Sequence, residues 1–352
     1  MLTTIGAFVG ILVVLIIAHE FGHFIAAKSF RVGVHEFGLG FPPRVFSVKR
    51  GETVYSLNAI PLGGFTKMAG EEDPAVPRSL ASKRIGIRLL VLSAGSIMNI
   101  ILPLLLFLIA FMVPHNQIMG RVLIEEVAPN SPAARAGIEP GDTLLSFNQK
   151  PVHNIEDLQR YTELNLGKET TIIIQHSDST TESVEVVPRW MPPEDQGPIG
   201  IVIRMTDTTL VRQSEPVWRA APLAVSACAE TFVLFKNGLI GMATGATQFQ
   251  VAGPVGIAQI TGEVAKAGIS PLLEFAAFLS INLALINIFP LPALDGGRIA
   301  FVLLEWVRRG KRVSPKTEGL VHFIGFTTLI VAIMVITYRD ILHIISGGSL
   351  TP

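Results

Sequence analysis

Four stretches of this chain carry no charged side chain over about the length a helix needs to cross a hydrocarbon core, roughly 20 residues. They are Leu2 to Ala18, Leu89 to Val113, Phe275 to Leu294 and Gly319 to Tyr338. In lipid a backbone must satisfy its own hydrogen bonds, so each run is predicted to be an α-helix. A fifth uncharged stretch, Asn237 to Gly262, is rich in glycine and holds Gln248, Gln250 and Gln259. It reads as a loop or a membrane-surface segment. Of the 352 residues 49% are hydrophobic and only 16% charged, against about 25% charged in a soluble domain. The first run lacks the basic start and small-residue cleavage site of a signal peptide, so it is expected to remain as a span.

The charged residues orient the spans. Lys28 to Arg88 holds 10 Lys/Arg against 5 Asp/Glu, and Arg308, Arg309, Lys311, Arg312 and Lys316 crowd the link before the last run. His115 to Arg219 has 9 basic and 15 acidic residues. The excess of Lys and Arg in cytoplasmic loops puts the first two segments in the cytosol and the acidic one outside. Four spans in this order leave both termini outside. A formal net charge of zero argues against nucleic acid as a partner. The single cysteine, Cys228, excludes an intramolecular disulfide framework and a cysteine-based zinc cluster.

The acidic segment reads as a small β-rich domain. Gly120 to Val127 alternates like a strand, Thr143 to Asn148 is a second, and Thr170 to Gln175 and Ser183 to Val187 add two more. Asn154 is a predicted N-cap for a helix to about Leu164. The run Ala133-Ala-Arg-Ala-Gly-Ile-Glu-Pro-Gly-Asp142 resembles the PDZ pattern of bacterial proteases of the high-temperature-requirement type. Gly197-Pro-Ile-Gly-Ile-Val-Ile203 looks like a PDZ carboxylate-binding loop and its strand, placed last as in a circularly permuted PDZ. Such domains bind peptides by adding a strand to a sheet edge. Glu215 to Leu234, with Trp218 and Phe232 among scattered charges, reads as an amphipathic helix on the outer membrane surface.

The chemistry sits where charge is costly. His19-Glu20-Phe21-Gly22-His23 ends the first run. On a helix His19 and His23 share one face a turn apart, as two zinc-ligating imidazoles require, and Glu20 stands beside the metal as general base for a water. Ionisable groups at membrane depth usually mark function. A catalytic zinc needs a third protein ligand and an open position. His35 and Glu36 are nearest, but Gly33 and the β-like sequence after them favour a loop. The better candidate is Asp295, in Asn287-Ile-Phe-Pro-Leu-Pro-Ala-Leu-Asp-Gly-Gly297. Two prolines and a glycine pair make that segment irregular, which a membrane tolerates only under cover of protein or in a water cavity. The charge-derived topology brings the ends of the first and third runs to the same cytosolic depth, so His19, His23 and Asp295 can meet. His322 in the last run reads as hydrogen-bonded structure, and His115, His153, His176 and His343 have no partner at metal spacing.

HExxH in the first span together with the late Asn-x-x-Pro-x-Pro-x-Leu-Asp-Gly resembles the site-2 protease family of intramembrane zinc metalloproteases. The likeness is closest to the bacterial RseP type, here with one recognisable PDZ unit. It extends to Ile60-Pro-Leu-Gly-Gly-Phe-Thr-Lys-Met-Ala-Gly70 and to Gly95-x-x-x-Asn99. The resemblance implies that His19, His23 and Asp295 bind Zn2+ and Glu20 activates water. It also implies that Asn287 and Asn99, with Pro290 and Pro292, hold substrate backbone or shape the site. By the same resemblance the substrates are single-span membrane proteins already trimmed by another protease, such as an anti-sigma factor or a remnant signal peptide. The enzyme would sit in the bacterial inner membrane. For Gly95 and Asn99, close helix packing with an interhelical hydrogen bond stands beside the substrate role.

The expected fold is therefore an α-helical polytopic membrane protein of about four transmembrane helices. Inserted in it are an extracytoplasmic PDZ-like α+β domain and a cytosolic-side β-hairpin. The expected boundaries are 1–28 for the first helix, 29–87 for a cytosolic loop with the hairpin, and 88–114 for the second helix. Next come 115–207 for the PDZ-like domain and 208–270 for the amphipathic helix and glycine-rich linker. The third helix is 271–306, a basic cytosolic loop 307–318 and the fourth helix 319–346. The hairpin turns at Arg50-Gly51, and two readings of Val45 to Leu57 stand side by side: its free edge pairs with an unwound substrate strand, or the hairpin simply packs on the spans. Two other functions compete. One is a membrane-anchored PDZ adaptor with an inactive zinc site, which would need neither Glu20 nor Asp295. The other is a membrane zinc enzyme cutting soluble peptides, whose third ligand would sit in a glutamate-containing helix motif.

Overall fold

A computed structural model of the protein describes residues 2–71, 73–246 and 252–346. The elements run α1 (Leu2–Ser29), β1 (Val34–Arg50), β2 (Thr53–Met68), α2 (Ile85–Met112), β3 (His115–Val127), α3 (Pro132–Arg135), β4 (Thr143–Phe147) and β5 (Lys150–Pro151). They continue with α4 (Ile155–Leu164), β6 (Thr170–Gln175), β7 (Thr181–Val186), β8 (Ile201–Gln213), α5 (Val217–Thr244), α6 (Pro254–Ala267), α7 (Ile269–Ile288), α8 (Asp295–Val307) and α9 (Pro315–Ile345). The chain divides into two compact units: Met1–Phe111 with Val217–Val225 and Val251–Pro352, and Met112–Pro216 with Ser226–Gln250.

In the first unit α1, α2, α7 and α9 are long and apolar enough to cross a membrane, and α5, which belongs to both units, is the fifth such helix among the described residues. The stretch expected to be an amphipathic helix over Glu215 to Leu234 is thus part of a longer helix reaching Thr244. The expected linker also holds structure. Pro254 opens α6 behind Gly253, because proline at the first helical position gives up an N–H that would have no partner there. The glutamines at 248 and 250 lie outside the described residues. Asp340 of α9, itself buried, accepts the Gly256 N–H at 2.8 Å and so caps α6.

The third expected helix is two. α7 ends at Ile288 because Phe289, which precedes a proline, is extended at φ −59°, ψ 142°. After the turn through Leu294, α8 begins at Asp295, an acidic residue on the positive end of a helix. Gly296 and Gly297 let this start fold back: a Cβ on Gly297 would come 2.5 Å from the Leu291 carbonyl oxygen, and one on Gly296 would strike that of Phe289.

β1 and β2 form more than a simple hairpin. The turn at Arg50–Thr53 is present, with Gly51 at φ 63°. Glu36–Leu39 is flanked on one side by Val54–Leu57 and on the other by Gly64–Lys67, while Arg44–Arg50 pairs only with the first of these. The order across the sheet is therefore 64–67, 36–39, 54–57, 44–50. Val45 and Phe46, on the far strand, are 67% and 62% exposed. The near strand closes on a core of Ala27, Val32, Val34, Met68, Leu80 and Val91, all buried. This core joins the end of α1 to the start of α2.

In the second unit a six-stranded antiparallel sheet runs β7-β6-β4-β3-β8, with β5 beside β4. Val122, Ile124, Leu144, Phe147, Ile172, Ile174, Val184 and Val186 point into one core, closed by Leu158 of α4. Asn154 caps α4 by accepting the Asp157 N–H at 2.7 Å.

Candidate metal centre

His19 and His23 lie in the second half of α1, where α2 crosses at close range. Gly22 makes the approach possible, since a Cβ there would collide with the Ala94 carbonyl of α2 and stand 2.9 Å from Met98 Cβ. Gly95, the next residue of α2, faces the imidazoles. Its missing Cβ would fall 2.7 Å from Cε1 and Nε2 of His19 and nearer still to Nε2 of His23. The two rings therefore rest on bare backbone.

Asp295 completes the group. Its Oδ2 is 3.1 Å from Nε2 of His19 and 3.1 Å from Nε2 of His23, and the two Nε2 atoms are 3.3 Å apart. All three donor atoms fall within 4.8 Å of one another. His35 and Glu36 lie on β1 and are not part of this group. Two imidazoles and a carboxylate are a set that zinc accepts. His23 Nδ1 donates to the Val91 carbonyl at 2.9 Å, which leaves its Nε2 lone pair for a metal.

Glu20 lines the same cleft, of about 350 Å³, together with Gly64, Thr66, Lys67, Leu92, Leu294 and Arg298. Thr66 Oγ1 donates to Glu20 Oε2 at 2.8 Å and stands 3.1 Å from the Glu20 carbonyl. A Cβ on Gly64 would press on Glu20 Cγ at 2.9 Å, so glycine there lets the strand lie against the carboxylate. Arg298, one turn beyond Asp295, pairs with Glu71 across the cleft.

Residues 7–332 match Peptidase family M50. The chain belongs to this family. M50 is the site-2 protease family, and the chain is accordingly a zinc metalloprotease; its apolar helices make it a multi-pass membrane protein. A relative from Clostridium acetobutylicum named as a zinc metalloprotease is 35% identical, over 94% of this chain and 95% of its own. The zinc metalloprotease RasP of Oceanobacillus iheyensis is 28% identical over 97% and 99%. The regulator of sigma-W protease RasP of Bacillus subtilis is 27% identical over 96% and 98%.

The remaining sequence candidates of this M50 protein lie outside the cleft lining. Asn287 is half-buried in the last turn of α7, and Pro290 is exposed. Pro292 packs against Gly325 of α9, where a Cβ would strike its ring. Asn99 is fully buried on α2 beside His19. Sequence reasoning missed Thr66, although it stands inside the Ile60–Gly70 motif, and it gave His322 no role near the site.

His322 of α9 accepts the Ala293 N–H on Nδ1 at 2.9 Å. Ala293 has φ 76°, a left-handed conformation that a non-glycine residue holds only when its surroundings enforce it. The bond thus pins the turn two residues before Asp295. His322→Leu is expected to weaken zinc binding up to about tenfold, since leaving a half-buried N–H unmatched costs toward the low end of roughly 1–3 kcal/mol. His322→Asn, whose Oδ1 replaces the acceptor, is expected to restore most of it. Zinc competition with a chelator reads both; equal losses in the two variants would remove the acceptor role.

Proposed function

We propose that this zinc metalloprotease hydrolyses a peptide bond within or beside a transmembrane helix of a membrane protein, with His19, His23 and Asp295 holding zinc and Glu20 as general base. The observation that carries the reading is the convergence of three donor atoms from α1 and α8 in one cleft beside Glu20. Zinc supplies a Lewis acid that polarises a carbonyl and makes water more acidic. Glu20 takes the proton of the attacking water as the C–O bond forms, then gives it to the nitrogen as the C–N bond breaks. Thr66 holds the Glu20 carboxylate toward the cleft. Asn287, Pro290 and Pro292 are read as shaping the turn that carries Asp295.

A helical peptide bond is shielded by its own hydrogen bonds, so the substrate must unwind before attack. Gly64–Lys67 is the sheet edge nearest the cleft, and we read it, in place of the Val45 to Leu57 edge expected from sequence, as the strand that receives the unwound segment. The second unit is read as the PDZ-like domain, a reading supported by β8 at the sheet edge and by Gly200 at φ 81° before it.

The topology inferred from charge is retained: termini and PDZ-like domain outside, zinc site near the cytosol, in the bacterial inner membrane. Ser270 Oγ donates to the Ala110 carbonyl at 2.9 Å, which supports one depth for the end of α2 and the start of α7. The chain between them then makes no net crossing, and α5 is read as lying along the membrane despite its length. A regulator of sigma-W among the relatives favours regulatory substrates such as a single-span anti-sigma factor trimmed beforehand; a remnant signal peptide fits the same site.

The deciding experiment compares zinc content and cleavage of a model single-span substrate, lacking its outer domain, by the full-length protein and by Asp295→Ala. Zinc affinity is expected to fall by more than the 10–100-fold typical of an outer partner, and cleavage with it. A variant that keeps both would refute the ligand set.

A further inference from the structure

Both histidines of the HExxH motif turn their second ring nitrogen to α2. For His23 that partner is the Val91 carbonyl, 2.9 Å from Nδ1, a group that can only accept. For His19 it is the side chain of Asn99, whose Nδ2 lies 3.5 Å from Nδ1. Asn99 is 0% exposed, and its Oδ1 is buried with no hydrogen-bond partner among the described residues. Its backbone carbonyl accepts from Ser280 Oγ of α7 at 2.9 Å, so the residue is fixed between two helices.

A neutral imidazole that gives Nε2 to a metal carries its proton on Nδ1 and needs an acceptor there. Half a rotation of the Asn99 amide exchanges its two ends without moving its frame, and presents Oδ1 to that proton. We propose that Asn99 is a positioning residue for His19: its Oδ1 accepts the Nδ1 proton, fixing tautomer and ring plane so that Nε2 points at zinc. The inference rests on His19 being a zinc ligand. It assigns Asn99 to the metal side of the site and takes it away from the substrate. The same helix thereby serves both imidazoles, with a main-chain acceptor for one and a side-chain acceptor for the other.

The test measures zinc affinity by chelator competition on the full-length protein in detergent, with Co2+ spectra as a second readout. Asn99→Leu is expected to bind zinc 10–100-fold more weakly, with an altered Co2+ spectrum and an unchanged KM at saturating zinc. Asn99→Asp, which can only accept, is expected to stay well inside the tenfold loss that marks the low end of what an outer partner contributes. If Asn99→Leu holds zinc normally but raises KM, Asn99 belongs to the substrate and the proposal falls. It falls equally if Asn99→Asp binds zinc tenfold or more weakly than the parent, the loss expected of a missing outer partner, a result that stands even should Asn99→Leu not fold. His19→Ala separates the two levels. If it keeps zinc, the ligand assignment itself is wrong; if it loses zinc while Asn99→Leu does not, only the positioning role is overturned.

Discussion

Glu20→Gln is expected to keep its zinc and to lose hydrolysis by about 10²–10⁴-fold, the usual worth of a general base. The variant removes a proton acceptor and little else. Glutamine has nearly the same shape, and its amide oxygen still accepts from Thr66 Oγ1, which reaches Glu20 Oε2 at 2.8 Å in the parent. Glu20 is not among the three converging donors, so metal content should not change. Paired zinc analysis and single-span substrate cleavage read the two quantities on one sample. Parallel loss of zinc and activity would make Glu20 a ligand or a structural group. Full activity with bound zinc would show that another group takes the proton.

Gly95→Ala is expected to cost zinc binding 100-fold or more, beyond the range set by outer partners, while the fold persists. The added methyl falls 2.7 Å from two atoms of His19 and closer to Nε2 of His23, so both Nε2 atoms must move. α2 cannot retreat to make room. Its preceding residue, Ala94, is already in backbone contact with Gly22, and Ser96 and Asn99 are fully buried. Helices in a membrane owe much of their association to such small-residue contacts. Gly86→Ala is the control: on the same helix, a Cβ there meets nothing within 4 Å, and alanine is the better helix former. Zinc titration with thermal unfolding of both variants checks the claim, and normal zinc binding by Gly95→Ala would refute the packing argument.

The convergence of His19, His23 and Asp295 was legible in the sequence. His19 and His23 are four apart on a helix, and the spacing alone puts them on one face. Asp295 is remote in sequence, and the agreement of membrane depth, drawn from loop charges, brought it to them. The apolar runs were legible because lipid allows a helix and little else. What stayed hidden depends on pairings that no local pattern specifies. The alternation of β1 and β2 does not say that Glu36–Leu39 is bordered on both sides, by Val54–Leu57 and by Gly64–Lys67. Thr66 acquires its role only through that register. α6 was obscured by its glycines, since Gly253 and Gly256 matter for the approach of Asp340 rather than for helix propensity. Asn99 reads as packing or as substrate contact until the ring it faces is known.

A centre assembled on bare backbone has few adjustable parts. Gly22, Gly64, Gly95 and Gly296 each admit an approach that any side chain would block, so the innermost shell has no neutral neighbours in sequence space. Diversification of what is cut must then come from the outer lining, where exposed Lys67 and half-buried Phe65 face the cleft. Divergence in such an enzyme would be radial, with an invariant hub and a permissive rim.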